Sequence, residues 1–238
     1  MCIKMDLKRF FAEEKIEGDT VVLRGDEFYH AVKVTRHKVG YKLIVCDNGK
    51  FDYYATVTEI GKDYLTAHVD EVKENDVELP YKLTLYIGNN KDLDVVTQKA
   101  VEMGVTEIVP FVSQHCNIKT VAYDRLRKVI SESAKQCGRS CLPVLREQMD
   151  FDEVLTDLTW SEVFAFYEYE RENKVKDAKL VHGKDISIII GCEGGFAVEE
   201  IEKMKERGIT TYTLGKRIMR VATAVVAACA LVNEKAEE

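Results

Sequence analysis

The sequence has no apolar run long enough to cross a bilayer. Its longest, Ala224–Val232 (AVVAACALV), falls well short of the ~20 residues that a membrane-spanning helix needs. The amino-terminal segment MCIKMDLKRFF has neither a long apolar core nor a small-residue cleavage site, so no export signal is read and a cytoplasmic protein is expected. Metal-finger spacing is missing as well. The seven cysteines (Cys2, Cys46, Cys116, Cys137, Cys141, Cys192 and Cys229) are odd in number and scattered, which suits reduced thiols. Cys137 and Cys141 stand close together, but no second Cys or His pair follows them. A tetrahedral zinc site needs four converging ligands, so no metal is expected.

Phosphate-loop motifs are absent too. A Walker loop needs Gly-x-x-x-x-Gly-Lys-Ser/Thr and a dinucleotide fingerprint needs Gly-x-Gly-x-x-Gly. Gly191, Gly194 and Gly195 fit neither spacing. A hydrolase elbow would need a serine between its glycines, and this loop has none. Positive charge is in deficit: 34 Lys and Arg against 41 Asp and Glu give a formal net charge of −7. That balance argues against nucleic-acid binding, which rests on phosphate neutralisation. The local distribution differs. Lys33, Arg36, His37, Lys38 and Lys42 form a run without an acid, and Arg125–Arg146 holds six cations against Glu132 alone. The acids gather at Asp70–Glu78, Glu168–Glu172 and Glu199–Glu206. On charge alone, these runs read as solvated faces.

What is present reads as two regions. In the first, residues 1–75, Thr20–Leu23, Lys42–Asp47, Tyr53–Ile60 and Leu65–Val72 are strand-like, with a turn at Asn48-Gly49 and another at Gly61-Lys62-Asp63. Asp26–Arg36 reads as a short helix. The region is a small β-barrel-like module, and the polar stretch Lys73–Glu78 before Pro80 is the linker. The second region, residues 76–238, alternates strands and helices. Leu83–Gly88, Glu107–Val112, Glu162–Tyr167, Ile186–Ile190 and Thr210–Leu214 are the strands. Asp92–Met103, Tyr123–Cys137, Val198–Arg207 and a last segment from about Ala222 are the helices, the first three stopped by Gly104, Gly138 and Gly208. Strands such as ISIII show almost no alternation, so both faces should be covered. The fold class is α/β with a parallel sheet.

Two loops leave the carboxyl ends of predicted strands, where open parallel sheets bind ligands. One is Gly191-Cys192-Glu193-Gly194-Gly195-Phe196. The other is Leu214-Gly215-Lys216-Arg217-Ile218-Met219-Arg220. Their glycines let the backbone approach a ligand closely. Either loop alone is explained by tight turning; two on neighbouring strands are less easily explained that way.

These segments carry a resemblance. Ile190–Phe196 resembles Ile-Gly-Pro-Glu-Gly-Gly-Phe, and Leu214–Ala224 resembles Leu-Gly-x-Arg-Ile-Leu-Arg-x-Glu-Thr-Ala. Gln98–Val105 resembles Gln-Lys-Ala-x-Glu-x-Gly-Val, and Gln136–Arg139 resembles Gln-x-x-Arg. Arg9-Phe10-Phe11 and His30…Arg36…Val39-Gly40 complete the series. The pattern is similar to that of the bacterial 16S ribosomal RNA uridine-N3 methyltransferases, the RsmE family of the SPOUT superfamily, over nearly the whole chain.

The resemblance implies a trefoil-knotted C-terminal SPOUT methyltransferase domain, an exception to the rule against knots, and an N-terminal PUA-like RNA-binding β-barrel. It implies S-adenosyl-L-methionine as cofactor, the small ribosomal subunit and its 16S RNA as partner, and a homodimer. Gly191, Gly194, Gly195, Leu214, Gly215, Ile218, Met219 and Thr223 would contact the cofactor. Arg220 and Arg139 would hold RNA phosphate or stabilise negative charge on the base. Glu193 would act as a base or order its loop. Arg9, Lys33, Arg36 and Lys38 would contact RNA. The chemistry requires alignment of an electrophilic methyl with uracil N3, loss of the N3 proton, and an unpaired or flipped-out base.

The chain departs from the family pattern at several positions. Ala222 stands where the family has Glu, Cys192 replaces a turn-stiffening Pro, and Thr35 and Tyr41 replace Leu and Asp. Two alternatives therefore stay open: another SPOUT activity such as ribose methylation of transfer RNA, or a catalytically impaired cofactor- or RNA-binding relative.

Overall fold

The computed structural model describes residues 7–158, 161–180 and 183–237; Cys2 lies outside them. The chain divides into two compact units. One comprises residues 1–78 and 131–142, the other residues 79–130 and 143–238.

The first unit is built on a five-stranded sheet. Its strands are β1 (Arg9–Phe11), β2 (Thr20–Leu23), β3 (Lys42–Cys46), β4 (Phe51–Ile60) and β5 (Leu65–Glu74), in the order β1-β3-β4-β5-β2. All neighbours are antiparallel except β1, which runs parallel to β3 with Phe10 opposite Val45. Val21 and Leu23 alternate inward along β2, as a strand with one covered face requires. They join Phe10, Ala31, Leu43, Val45, Ala55, Val57, Leu65 and Ala67 in one apolar core. At the β3–β4 turn Asn48 takes a positive φ of 58°.

The helix expected over Asp26–Arg36 is shorter. Helix α1 (Gly25–Tyr29) passes into a π-turn over His30–Val34, in which Thr35 N–H donates to His30 C=O at 2.9 Å. Arg36 then turns left-handed at φ 57° and ends the segment.

Residues 131–142 group with this unit rather than with the second, because they bond to it. Lys135 pairs with Glu27, Asn75 Nδ2 donates to Gly138 C=O at 2.9 Å, and Leu142 N–H donates to Asn48 Oδ1 at 3.0 Å.

The second unit is a parallel sheet in the order β12-β10-β11-β6-β7-β8. It contains β6 (Leu83–Gly88), β7 (Glu107–Val112), β8 (Val144–Leu145), β10 (Glu162–Phe166), β11 (Ile186–Ile190) and β12 (Thr211–Tyr212), with β9 (Met149–Asp150) also paired to β7. Every residue of β6 and β11 is buried, as their unbroken apolar composition predicts. The helices are α2 (Leu93–Glu102), α4 (Phe151–Asp157), α5 (Val198–Glu206) and α6 (Val221–Glu237), together with the first part of α3 (Tyr123–Cys137), whose residues from Ser131 belong to the first unit. Phe111, Phe151 and Phe196 pack in a cluster with Ile189, Val154 and Met204. No helix is long and apolar enough to cross a membrane among the described residues.

Candidate active site

Three neighbouring strands, β12, β10 and β11, end on the same side of the sheet because they are parallel and in register. Their carboxyl ends and the loops that follow enclose a cavity of about 310 Å³. Strand β10 leads into Phe166, Tyr167 and Glu168. Strand β11 leads into Gly191, Cys192, Glu193 and Gly195. The chain after β12 contributes Leu214, Gly215, Arg217, Ile218, Met219 and Arg220, and Ala224 of α6 closes one wall.

Local chemistry fixes each loop. Glu170 accepts hydrogen bonds from the backbone N–H groups of Arg171, Glu172 and Asn173 and from Thr211 Oγ1 at 2.8 Å. Burial opposes its charge, but these donors outweigh it and hold the carboxyl down at about 2. Tyr167 N–H donates to Tyr212 C=O, and Thr213 N–H to Asn173 C=O, so the loops after β10 and β12 are bonded to each other. Thr213 Oγ1 accepts from Gly215 N–H at 3.0 Å and tightens the next turn.

The loop after β11 must pass close to β6. A Cβ on Gly88 would collide with Cys192 N, so glycine is required there. At Gly195, with φ +68°, a Cβ would collide with the Glu168 carboxylate. Glu200 holds the end of this loop by accepting Ala197 N–H at 2.9 Å. Cys192 of this loop is one of two buried thiols here, the other being Cys116. Cys116 is held well below the ordinary thiol range, because the Cys192 thiol and Ser113 donate to it, while Cys192 is pushed up by the same contact.

The cavity gathers Gly191, Gly195, Leu214, Gly215, Ile218, Met219, Glu193 and Arg220 from the expected set. Ile218, on the cavity wall, is 72% exposed. Gly194 and Thr223 do not line the cavity. Gly194 packs on His115, and its C=O bonds the His115 ring at 3.0 Å; Thr223 is exposed on α6. Glu193 Oε1 accepts Lys91 N–H at 3.1 Å, so the carboxylate ties its loop to the approach of α2.

Two expected functional cations are structural. Arg139 is 4% exposed and grips Glu78 bidentately, with Nε–Oε1 at 2.9 Å and Nη2–Oε2 at 2.7 Å; it does not line the cavity. Arg9 has a side chain only 8% exposed, pairs with both Asp52 oxygens and reaches Cys46 Sγ. Burial works against its charge, yet the Asp52 pair raises its pKa above the usual arginine value. It is therefore committed to the core of its unit rather than offered to RNA. His37, counted within the basic run, is also buried. It packs edge-on against Phe10 with ring centroids at 5.4 Å, and burial lowers its pKa, so it adds no charge at neutral pH. Lys33, Arg36 and Lys38 are exposed.

Sequence reading missed Glu168. It stands in the acidic run Glu168–Glu172, which reads as a solvated face; its place directly after a buried strand was the available signal. Among the described residues, no group of side chains is arranged to hold a metal ion.

A glycine-bearing cavity at the carboxyl ends of a parallel sheet, with Arg217 and Arg220 in its lining, is the arrangement of ligand-binding α/β proteins. Residues 77–233 match the family of RNA methyltransferase domains, and residues 23–70 match the RNA methyltransferase PUA domain. The chain belongs to the RNA methyltransferase family. It is 26% identical to the ribosomal RNA small subunit methyltransferase E of Rickettsia conorii over 96% of both chains. It is also 26% identical to the Bacillus subtilis protein of the same name, over 97% of this chain and 98% of that one. Among solved structures, the ribosomal RNA small subunit methyltransferase E of Neisseria gonorrhoeae bound to S-adenosyl methionine superposes with a TM-score of 0.88. It is 27% identical and covers 96% of this chain and 97% of its own.

Proposed function

We propose that the protein methylates a uridine base at N3 in 16S ribosomal RNA, using S-adenosyl-L-methionine. One observation carries the reading: segments 191–195 and 214–220, distant in sequence, wall a single cavity. The cavity fits the cofactor chemically. Apolar side chains from Ile190, Leu214, Ile218 and Met219 suit an adenine ring, and the glycines of both loops leave backbone groups open to hydrogen bonding. When bound, the cofactor supplies an electrophilic methyl group.

The chain's own residues do the rest. Gly191, Gly195, Leu214, Gly215, Ile218 and Met219 hold the cofactor. Arg220, exposed at the rim, holds RNA phosphate or the charge that develops on the uracil as N3 loses its proton. Glu193 orders the loop. Arg139 and Arg9 maintain their unit, and Lys33, Arg36 and Lys38 supply its RNA-facing charge. The catalytic unit carries the trefoil knot of its superfamily, the protein works as a cytoplasmic homodimer, and the small ribosomal subunit is its partner. These three features rest on the family relationship.

Two assays test the reading together. The purified protein is titrated with S-adenosyl-L-methionine, then supplied with methyl-labelled cofactor and assembled small subunits or transfer RNA. Transfer to one uridine of 16S RNA is expected. Binding without transfer would make Ala222 the mark of an impaired relative, and ribose methylation of transfer RNA would replace the reading.

A further inference from the structure

We infer that Glu168 is a cofactor-binding residue that faces the cofactor's positively charged sulfonium and α-ammonium groups; this rests on the proposed use of S-adenosyl-L-methionine.

The cavity contains three carboxylates and two arginines, and their engagements differ. Glu193 is taken up by Lys91 N–H. Asp92 is exposed at the mouth. Arg217 and Arg220 line the segment after β12 and make no side-chain hydrogen bond or ion pair with the described residues. Glu168 is half-buried, and its carboxylate makes none either. Its backbone, by contrast, is fixed: Arg171 Nη1 donates to Glu168 C=O at 2.6 Å and to Glu170 C=O at 2.8 Å, while Glu170 clamps the following turn. The carboxylate is thus delivered into the cavity by a rigid loop and left without a protein partner.

The carboxylate lies over Gly195 in the space that a side chain there would take. A carboxylate without a donor among the described residues is available to a cationic ligand group, and charge-assisted pairs are the stronger kind. A cationic cofactor sharing this cavity with Arg217 and Arg220 is favoured by a carboxylate placed close to its own charge. Glu168 is the half-buried carboxylate in position for this. The adenosine end has no such requirement, and the apolar wall around Ile190, Leu214 and Ile218 meets its needs.

The test is calorimetric. Wild-type protein and Glu168→Gln are titrated with three probes: S-adenosyl-L-methionine, which carries the sulfonium and the zwitterionic amino-acid group; S-adenosylhomocysteine, which lacks the sulfonium but keeps that group; and methylthioadenosine, which carries neither. Glu168→Gln keeps the shape, and thermal melting verifies its fold. The cationic cofactor is expected to bind about ten- to a hundredfold more weakly to the variant, the homocysteine compound to lose less, and the neutral nucleoside to be unchanged. Equal losses for all three would assign Glu168 to the adenosine. Unchanged affinities with lost turnover would make it a proton acceptor instead. Either result overturns the inference. Failure of the wild-type protein to bind the cofactor would strike the proposed function itself.

Discussion

At the residue scale, burial separates arginines that composition cannot distinguish. Arg220 is exposed at the cavity rim and makes no side-chain bond within the described chain, so truncating it should leave the fold intact. Arg220→Ala is expected to lower methyl transfer about 10²- to 10³-fold, the usual effect of removing one preorganised group that stabilises developing charge. An unchanged melting temperature should accompany that loss, and near-normal turnover would refute the assignment. Arg139 predicts the reverse. Its loss strands the Glu78 carboxylate beside a buried site, so Arg139→Ala should cost about 3–5 kcal/mol in urea unfolding. Cofactor affinity of the folded fraction should not change. Sequence could not separate these roles, because the deciding partners are remote in the chain: Glu78 for Arg139 and Asp52 for Arg9. A cation near a glycine looks the same whether an acid has already claimed it or not.

At the element scale, the loop after β10 depends on one ionised side chain. Glu170 gathers three backbone N–H groups and the Thr211 hydroxyl, which holds its carboxyl at about 2 rather than near 4.5. A carboxyl depressed in the folded state stabilises it at pH values above the unfolded value and loses that contribution as pH falls through the folded one. The loop should therefore stay ordered at pH 6 and loosen as pH drops from about 4.5 toward 2. Tyr167 fluorescence or hydrogen exchange at 170–173 would register the change. Glu170→Gln should show the loosened loop and weaker cofactor binding already at neutral pH; protection equal to wild type would refute the clamp.

Elements of this kind differ in how well sequence announces them. Strands β6, β7 and β11 and helix α3 were legible to the residue, because each is a full apolar run or a long helical period bounded by a stop. The glycine loop after β11 was legible for the same reason, as an interruption directly after such a strand, whereas the second follows β12, which spans only Thr211–Tyr212 where Thr210–Leu214 was expected. Strand β1, the two-residue strands β8 and β9 and the short helix α4 were not read. Their pairing with β3 and β7 is made across the chain, and their lengths give no period. The π-turn at His30–Val34 was hidden because its apolar spacing imitates an α-helix until Arg36 turns left-handed.

At the scale of the whole molecule, the net charge of −7 and the proposed RNA substrate are reconciled only if the charge is divided by place. Of the run Lys33–Lys42, His37 is buried and neutral, while Lys42 lies 3.9 Å from Asp70. That leaves Lys33, Arg36 and Lys38, exposed on and after the π-turn, as the cations able to release counterions from RNA. Each phosphate neutralised on a structured RNA should steepen the dependence of affinity on salt by somewhat less than one unit of slope. Replacing all three residues with alanine should therefore weaken binding to small-subunit RNA and flatten that slope by about two units, with the largest difference at low salt. Affinity for S-adenosyl-L-methionine, measured on the same preparation, should be unchanged, because none of the three lines the cavity. A salt slope identical to wild type would mean that RNA is held elsewhere on the molecule. The next residues to replace would then be Arg125, Arg127 and Lys128 of helix α3, the other run in which cations outnumber acids.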